Sequence, residues 1–288
     1  MIGNFLGVLF DGIAYGSLLF LIGIGLSVTM GLMNFVNLAH GAFAAFGGYV
    51  CVTAMNQMGV PFLASLPIAF VLTAVVGVVL ERTLYRRLYK AAPLDQVLFS
   101  IGLTFMAVAG MTYVWGPIQQ PVRLPEFLSG QVHLAGLDFG VYRLFLISIV
   151  LVVTAALVYL VERTRFGAQV RASVDNQQAA AGLGINVNRV FELTFALGSG
   201  LAGLGGALGI DVLGLDPSFP IKFMVYFMLV VAVGGAGSIK GTLVAGLVLG
   251  IFDVAGKYYV PQIGAFIIYA LMVVLLVFFP TGLYGKKA

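Results

Sequence analysis

Residues 163–186 read RTRFGAQVRASVDNQQAAAGLGIN, the longest polar passage between hydrophobic spans in a chain otherwise made to cross a membrane. These residues predict a short structured element. Asp175 followed by Gln178 matches an N-cap with a partner three residues on. The Ala179–Ala181 run then favours helix until Gly182 and Gly184 stop it. Upstream, Val170 and Val174 fall one turn apart, as do Arg171 and Asp175. The passage therefore reads as two small helices joined near Asp175, held between spans where a partner can push on them.

Outward from it, the chain is apolar. Of 288 residues, 61% are hydrophobic and only 9% charged, whereas charged residues make up about a quarter of a soluble domain. With a mean hydropathy of +1.07, the fold class is an all-α polytopic membrane protein. Apolar runs of spanning length fall near 5–30, 35–57, 62–80, 94–115, 141–161 and 189–213. Residues 222–280 divide into three more at 234–241 and 258–262. About nine transmembrane helices are expected, within a range of eight to ten, forming one transmembrane domain over 1–288 with no linker. No Lys or Arg precedes Arg82, so the first run is expected to be a retained span and not a cleaved leader.

Orientation follows the basic residues. Placing 82–90, 163–189, 240 and 286–287 on one side collects eleven of the fifteen Lys and Arg, leaving only Arg123, Arg143, Lys222 and Lys257 opposite. The first side is expected to be cytoplasmic, with the N-terminus outside and the C-terminus inside. The net charge of +4 reflects this topology. It comes from scattered loop charges without interleaved aromatics, so nucleic acid is not an expected partner and membrane lipid is.

Candidate chemistry is sparse. Asn34, Asn37 and His40, with Gly41, fall about one turn apart in an apolar region, and polar groups at membrane depth face either a cavity or a hydrogen-bonding protein partner. They are the candidate translocation-pathway residues. Gly198–Gly203 formally matches GxGxxG but lies inside an apolar span, so it is read with Gly205, Gly206 and Gly209 as a surface for close helix approach. The pairs Gly237/Gly241 and Gly246/Gly250 read the same way. GGAGSIKGT at 234–242 has Lys240 before Gly241, the reverse of a phosphate-binding loop. A candidate internal repeat pairs His40-Gly-Ala-Phe-Ala-Ala with Lys240-Gly-Thr-Leu-Val-Ala. Among the acids, Glu192 is expected to pair with Arg189 and Asp253 with Lys257, leaving Asp11 without a local partner. Cys51 is alone, and no HExxH, GxSxG or Cys/His cluster occurs. Neither a metal site nor a catalytic constellation is expected.

Two passages together, NLAHGAF at Asn37–Phe43 and Arg163–Val190, resemble the LivH-type permease of branched-chain amino acid ABC importers. The likeness covers nearly the whole chain, including PTGLYG at Pro280–Gly285. That resemblance implies a helical permease of the bacterial inner membrane that pairs with a second related permease subunit, the same or different, and with two cytoplasmic ATPases. An external substrate-binding protein would feed it. ATP and Mg would sit on the ATPases, and this chain would bind no cofactor. Within residues 163–188, the segment from Arg171 to Gly184 would be the ATPase-coupling element, carried by Arg171, Ala172, Asp175, Asn176, Ala179, Ala180, Gly182 and Gly184. This chain has Asn176 and Gln177 where charges are often seen, and Glu192 in place of the usual apolar residue. Related permeases resemble carriers of urea, short amides and aromatic acids, so the substrate stays open. An ion-coupled secondary transporter using Asp11 is the reading from another class.

Overall fold

The computed structural model describes residues 2–33, 35–122, 124–134 and 137–285. Asn34, Arg123, Lys286 and Lys287, which the sequence reading uses, lie outside these. Eleven helices follow in order: α1 Ile2–Met33, α2 His40–Met58, α3 Phe62–Leu88, α4 Pro93–Trp115, α5 Val141–Arg163, α6 Arg165–Asp175, α7 Gln177–Gly182, α8 Val187–Leu213, α9 Phe219–Gly234, α10 Ile239–Tyr259 and α11 Gly264–Phe278. Near its end α3 passes through one π-helical turn, Glu81–Tyr85.

Six of the described helices, α1, α3, α4, α5, α8 and α10, are long and apolar enough to cross a membrane, while α9 and α11 are apolar but shorter. The expected nine spans counted apolar runs, and α2 shows why the two measures differ. Its 19 residues are rich in Gly and Ala and include His40, Asn56 and Gln57. It packs among α8, α3 and α9, and a helix enclosed by protein does not need the hydropathy that lipid contact demands.

At the centre stands α8, with 78% of its most apolar window buried, against 17% for α4 and for α5. Glycine lets α8 meet its neighbours backbone to backbone. A Cβ built on Gly206 would lie 1.8 Å from the Ala44 carbonyl oxygen, one on Gly47 would lie 2.2 Å from Gly203 Cα, and one on Gly25 would lie 2.2 Å from the Gly198 carbonyl oxygen. The α1–α10 crossing works the same way: Gly16 would meet the Gly246 carbonyl at 2.6 Å and Gly250 would meet Gly16 Cα at 2.3 Å. The small-residue stripes are thus contact surfaces, as their composition predicts.

Residues 116–140 correct the all-α expectation. They hold a 3₁₀ turn, Glu126–Leu128, and a hairpin in which β1 (Gln131–Leu134) pairs antiparallel with β2 (Leu137–Gly140), His133 opposite Asp138. Alternation in Gln-Val-His-Leu and Leu-Asp-Phe-Gly suits a strand pair of period two. Phe139 stacks edge-on against Phe10 of α1, with ring centroids 4.8 Å apart.

Candidate functional site

The polar segment folds as two short helices, each with its own cap. Thr164 opens α6 by accepting a hydrogen bond from the Gly167 amide at 3.2 Å. The joint differs from the sequence expectation by one residue. Helix α6 runs through Asp175, and the extended residue at the junction is Asn176 (φ −158°, ψ 103°), whose Oδ1 accepts from the Ala179 amide at 2.9 Å. Asn176, and not Asp175, is therefore the N-cap of α7, because only the residue that has left the helical conformation can turn its side chain back onto the next turn.

The end of α7 is a Schellman arrangement. The Ile185 amide donates to the Ala180 carbonyl and the Gly184 amide to the Ala181 carbonyl, both at 3.0 Å, with Gly184 at φ +83°. Such a residue is glycine for conformational reasons. Gly182 has ordinary helical geometry and is simply the last helical residue.

One face of this element is held and the other is exposed. Helix α6 packs against α5, α8 and α1, and Arg171 donates from Nη1 to the Val161 carbonyl at the end of α5. Ser173 and Ala180 are buried and Ala172 is half-buried, whereas Arg171, Asp175, Asn176, Ala179, Gly182 and Gly184 are exposed. Leu183 is 83% exposed, an apolar side chain at the tip of the segment. Beside it lies a shallow recess of about 560 Å³ bordered by Phe166, Ile185, Arg189 and Leu193. A second recess of about 620 Å³ separates Val170, Arg171 and Val174 of α6 from the end of α1, the α9–α10 turn and Tyr284.

The residues around the first turns of α8 were not legible as a unit in the sequence. Glu192 pairs with α3 and not with Arg189. Arg82 grips it with two parallel hydrogen bonds, Nη2 to Oε1 at 2.6 Å and Nε to Oε2 at 2.8 Å, and Arg86 approaches Oε2 at 3.4 Å. Arg86 also holds the fully buried Glu81 at 2.9 and 3.2 Å, and the Tyr89 hydroxyl donates to Glu81 at 2.8 Å. The local rule for helical pairs fails here because α3 and α8 are packed side by side and offer a bidentate guanidinium partner.

Asn37, His40 and Gly41 gather at the break between α1 and α2, and all three are buried. The Asn37 Oδ1 accepts from the Ala39 amide (3.1 Å) and the Tyr85 hydroxyl (2.9 Å); His40 Nε2 lies 2.9 Å from the Ile22 carbonyl. Gly41 packs against Pro220 at the start of α9. Among the acids, Asp253 pairs with Lys257 at 2.6 Å as its spacing predicts, and Asp11 is paired with Arg143 of α5. Among the described residues no group of three or more His, Cys, Asp or Glu side chains could hold a metal ion.

A bundle of long apolar helices crossing at glycines, interrupted by one capped polar element, defines a polytopic membrane protein. The chain belongs to the family described as branched-chain amino acid transport system / permease component, matched over residues 8–276. It is 26% identical to the high-affinity branched-chain amino acid transport system permease protein BraD of Pseudomonas aeruginosa, and 28% identical to its LivH counterpart of Escherichia coli K12. Both matches cover 98% of this chain and 96% of the relative. LivM, another permease protein of that name in E. coli K12, is 24% identical over 80% of this chain and 59% of its own length. No solved structure shows a significant match.

Proposed function

We propose that this chain is the membrane-spanning permease subunit of an ATP-driven importer for leucine, isoleucine and valine, working by alternating access. The observation that carries the reading is the segment at 163–188: two short helices, capped at both ends, packed on one face against the bundle, to which Arg171 is tied, and presenting Asn176, Gln177, Ala179 and Leu183 to the outside. A rigid, partly polar protrusion with one exposed leucine is what a partner groove can grip and move. In this reading the segment is cytoplasmic, about nine spans form a single permease domain over 1–288, and the chain lies in the bacterial inner membrane with its N-terminus outside.

Two ATPases carrying ATP and Mg, a second permease and an external binding protein complete the assembly. The second permease is inferred from the likeness to both LivH and LivM, two permease proteins sharing one system name. The chain needs no cofactor of its own, and membrane lipid covers the outer faces of α4 and α5. Asn37, His40 and Gly41 would border the route only in a state where α2 parts from α1 and α9, since all three are occupied in packing here. A carrier for urea, amides or aromatic acids would share this machinery. An ion-coupled carrier is disfavoured by the Arg143 partner of Asp11.

Purification from native membranes in mild detergent, with stoichiometric partners identified by mass spectrometry, tests the assembly. Two ATPases and a second permease are expected; the chain alone, in preparations where known assemblies survive, would overturn it. Uptake by the reconstituted system with its binding protein then identifies the substrate, by comparing leucine with urea and an aromatic acid. Within that system, charge reversal at Arg171 or Asp175 should abolish uptake while membrane insertion continues.

A further inference from the structure

The π-helical turn of α3 joins two contacts that lie on different sides of it. Toward α8, Arg82 and Arg86 reach Glu192, six residues past the Asn186 cap that ends the polar segment. Toward the bundle interior, Tyr85 of the same turn is fully buried and donates to Asn37 at 2.9 Å, in the break between α1 and α2. Its ring is enclosed by Phe35, Phe99 and Phe195, with centroids 4.7–5.3 Å away. A π turn inserts one extra residue, so side chains on either side of it point in directions an uninterrupted α-helix would not allow, and such turns recur at functional sites. Here the wider turn brings Arg86 over Glu81, five residues back, so that the two side chains pair, while Tyr85 faces inward and Arg82 faces α8.

Glu81 pins the turn from inside. Its carboxylate is fully buried and held by Arg86 and Tyr89, so Arg86 cannot leave without stranding a buried charge. Arg86 thereby ties the internal carboxylate of α3 to the carboxylate of α8. From Glu192, in the second turn of α8, to the α1–α2 break there is a continuous run of bidentate ion pairs, one helical turn and one buried hydrogen bond.

We propose that the Glu192–Arg82/Arg86–Glu81 brace, with Tyr85, is the positioning device that transmits displacement of the 163–188 segment to the α1–α2 break. The inference rests on the coupling reading of that segment for its consequence in transport, but not for the mechanical link itself. Spatial continuity is not coupling, so the test has two arms.

In the purified full-length chain in detergent, hydrogen exchange followed by mass spectrometry compares wild type with Glu192→Gln. Faster exchange is expected at 81–89 and also at 35–40, a region that Glu192 does not touch. Exchange confined to 81–89 and 187–194 would overturn the link. This arm needs no partner, so it remains decisive if the wild-type chain fails to recover ATPases and the importer reading falls. In the reconstituted importer, Glu192→Gln and Tyr85→Phe should lower substrate taken up per ATP hydrolysed by at least about fivefold, the lower end of typical coupling factors, with the ATPases still bound. Tyr85→Phe keeps the ring packing and removes only the hydroxyl. The paired exchange R82E with E192R should restore the ratio toward wild type. Wild-type uptake per ATP in both single variants would overturn the proposal, and loss in Glu192→Gln with no rescue by the swap would reduce the brace to a stabilising contact.

Discussion

Gly206→Ala adds a single methyl group at the tightest helix crossing in the bundle. Its Cβ would stand 1.8 Å from the Ala44 carbonyl oxygen, 2.5 Å from its carbon and 3.0 Å from its Cα, all backbone atoms of α2. Backbone in the middle of a helix cannot rotate aside, so α2 must retreat from α8 by more than about 1 Å. The same movement would loosen the Gly47–Gly203 approach one turn away. Overpacking of this kind costs about 1–3 kcal/mol, and more where a whole helix must move. We expect the upper end, about 3 kcal/mol, which for a chain of this size lowers Tm by roughly 6–10 °C.

The protein contains its own control. Gly110, in exposed helix α4, has nothing within 4 Å of its missing Cβ. There Gly→Ala should be neutral or stabilising by up to about 1 kcal/mol, because alanine loses less entropy in a helix. Both variants would be purified in the same detergent and their melting followed by an environment-sensitive thiol dye reacting with Cys51, the chain's sole cysteine, which is buried. If Gly206→Ala melts with Gly110→Ala and wild type, the backbone crossing does not determine this fold and the argument from glycine contacts is wrong.

Other substitutions probe the polar segment and the opposite end of the bundle. Asn176→Ala should cost α7 about 1 kcal/mol, seen as faster exchange of the Ala179 amide, and Asn176→Asp should restore protection; equal exchange in all three would remove the cap. Gly184→Ala meets no steric neighbour but must hold φ +83°, a strain of roughly 1–2 kcal/mol, so the Ile185 amide should lose protection while α6 keeps its own. Asp216, between α8 and α9, is held below the ordinary carboxylate value of 3.8: burial pushes it up, but hydrogen bonds from Lys222 (2.5 Å) and Ser218 outweigh that. A lowered folded pKa means stability that is present above the unfolded value and lost as pH falls through the folded one. The Tm gap between wild type and Asp216→Asn should therefore be full at neutral pH and shrink in acid below 3.8; a gap independent of pH would refute the assignment.

Helix class, the placement of the long spans and the two-helix character of 163–188 all come from local rules, and they are visible in the chain. So is the Asp253–Lys257 pair, one helical turn apart. The capping residue was ambiguous because Asp175 and Asn176 are both good caps, and only the point at which α6 stops chooses between them. The hairpin at 131–140 is a short signal inside a loop flanked by strongly apolar helices, and composition alone passes over it.

What the sequence by itself determined is a property of its composition and its short-range spacing: an apolar helical protein, crossing a membrane several times, with one structured polar element and glycine stripes for close packing. Membrane insertion and helix formation respond to local hydropathy and backbone satisfaction, so those statements need no knowledge of the neighbours. The tertiary structure alone decided which helix is central, why α2 can be less apolar than a lipid-facing span, and which charge meets which. Glu192 and Arg82 are separated by 110 residues, and Tyr85 and Asn37 by 48. Such contacts exist only once glycine-lined helices have closed to backbone distance, since that approach sets the register in which distant side chains come to face each other.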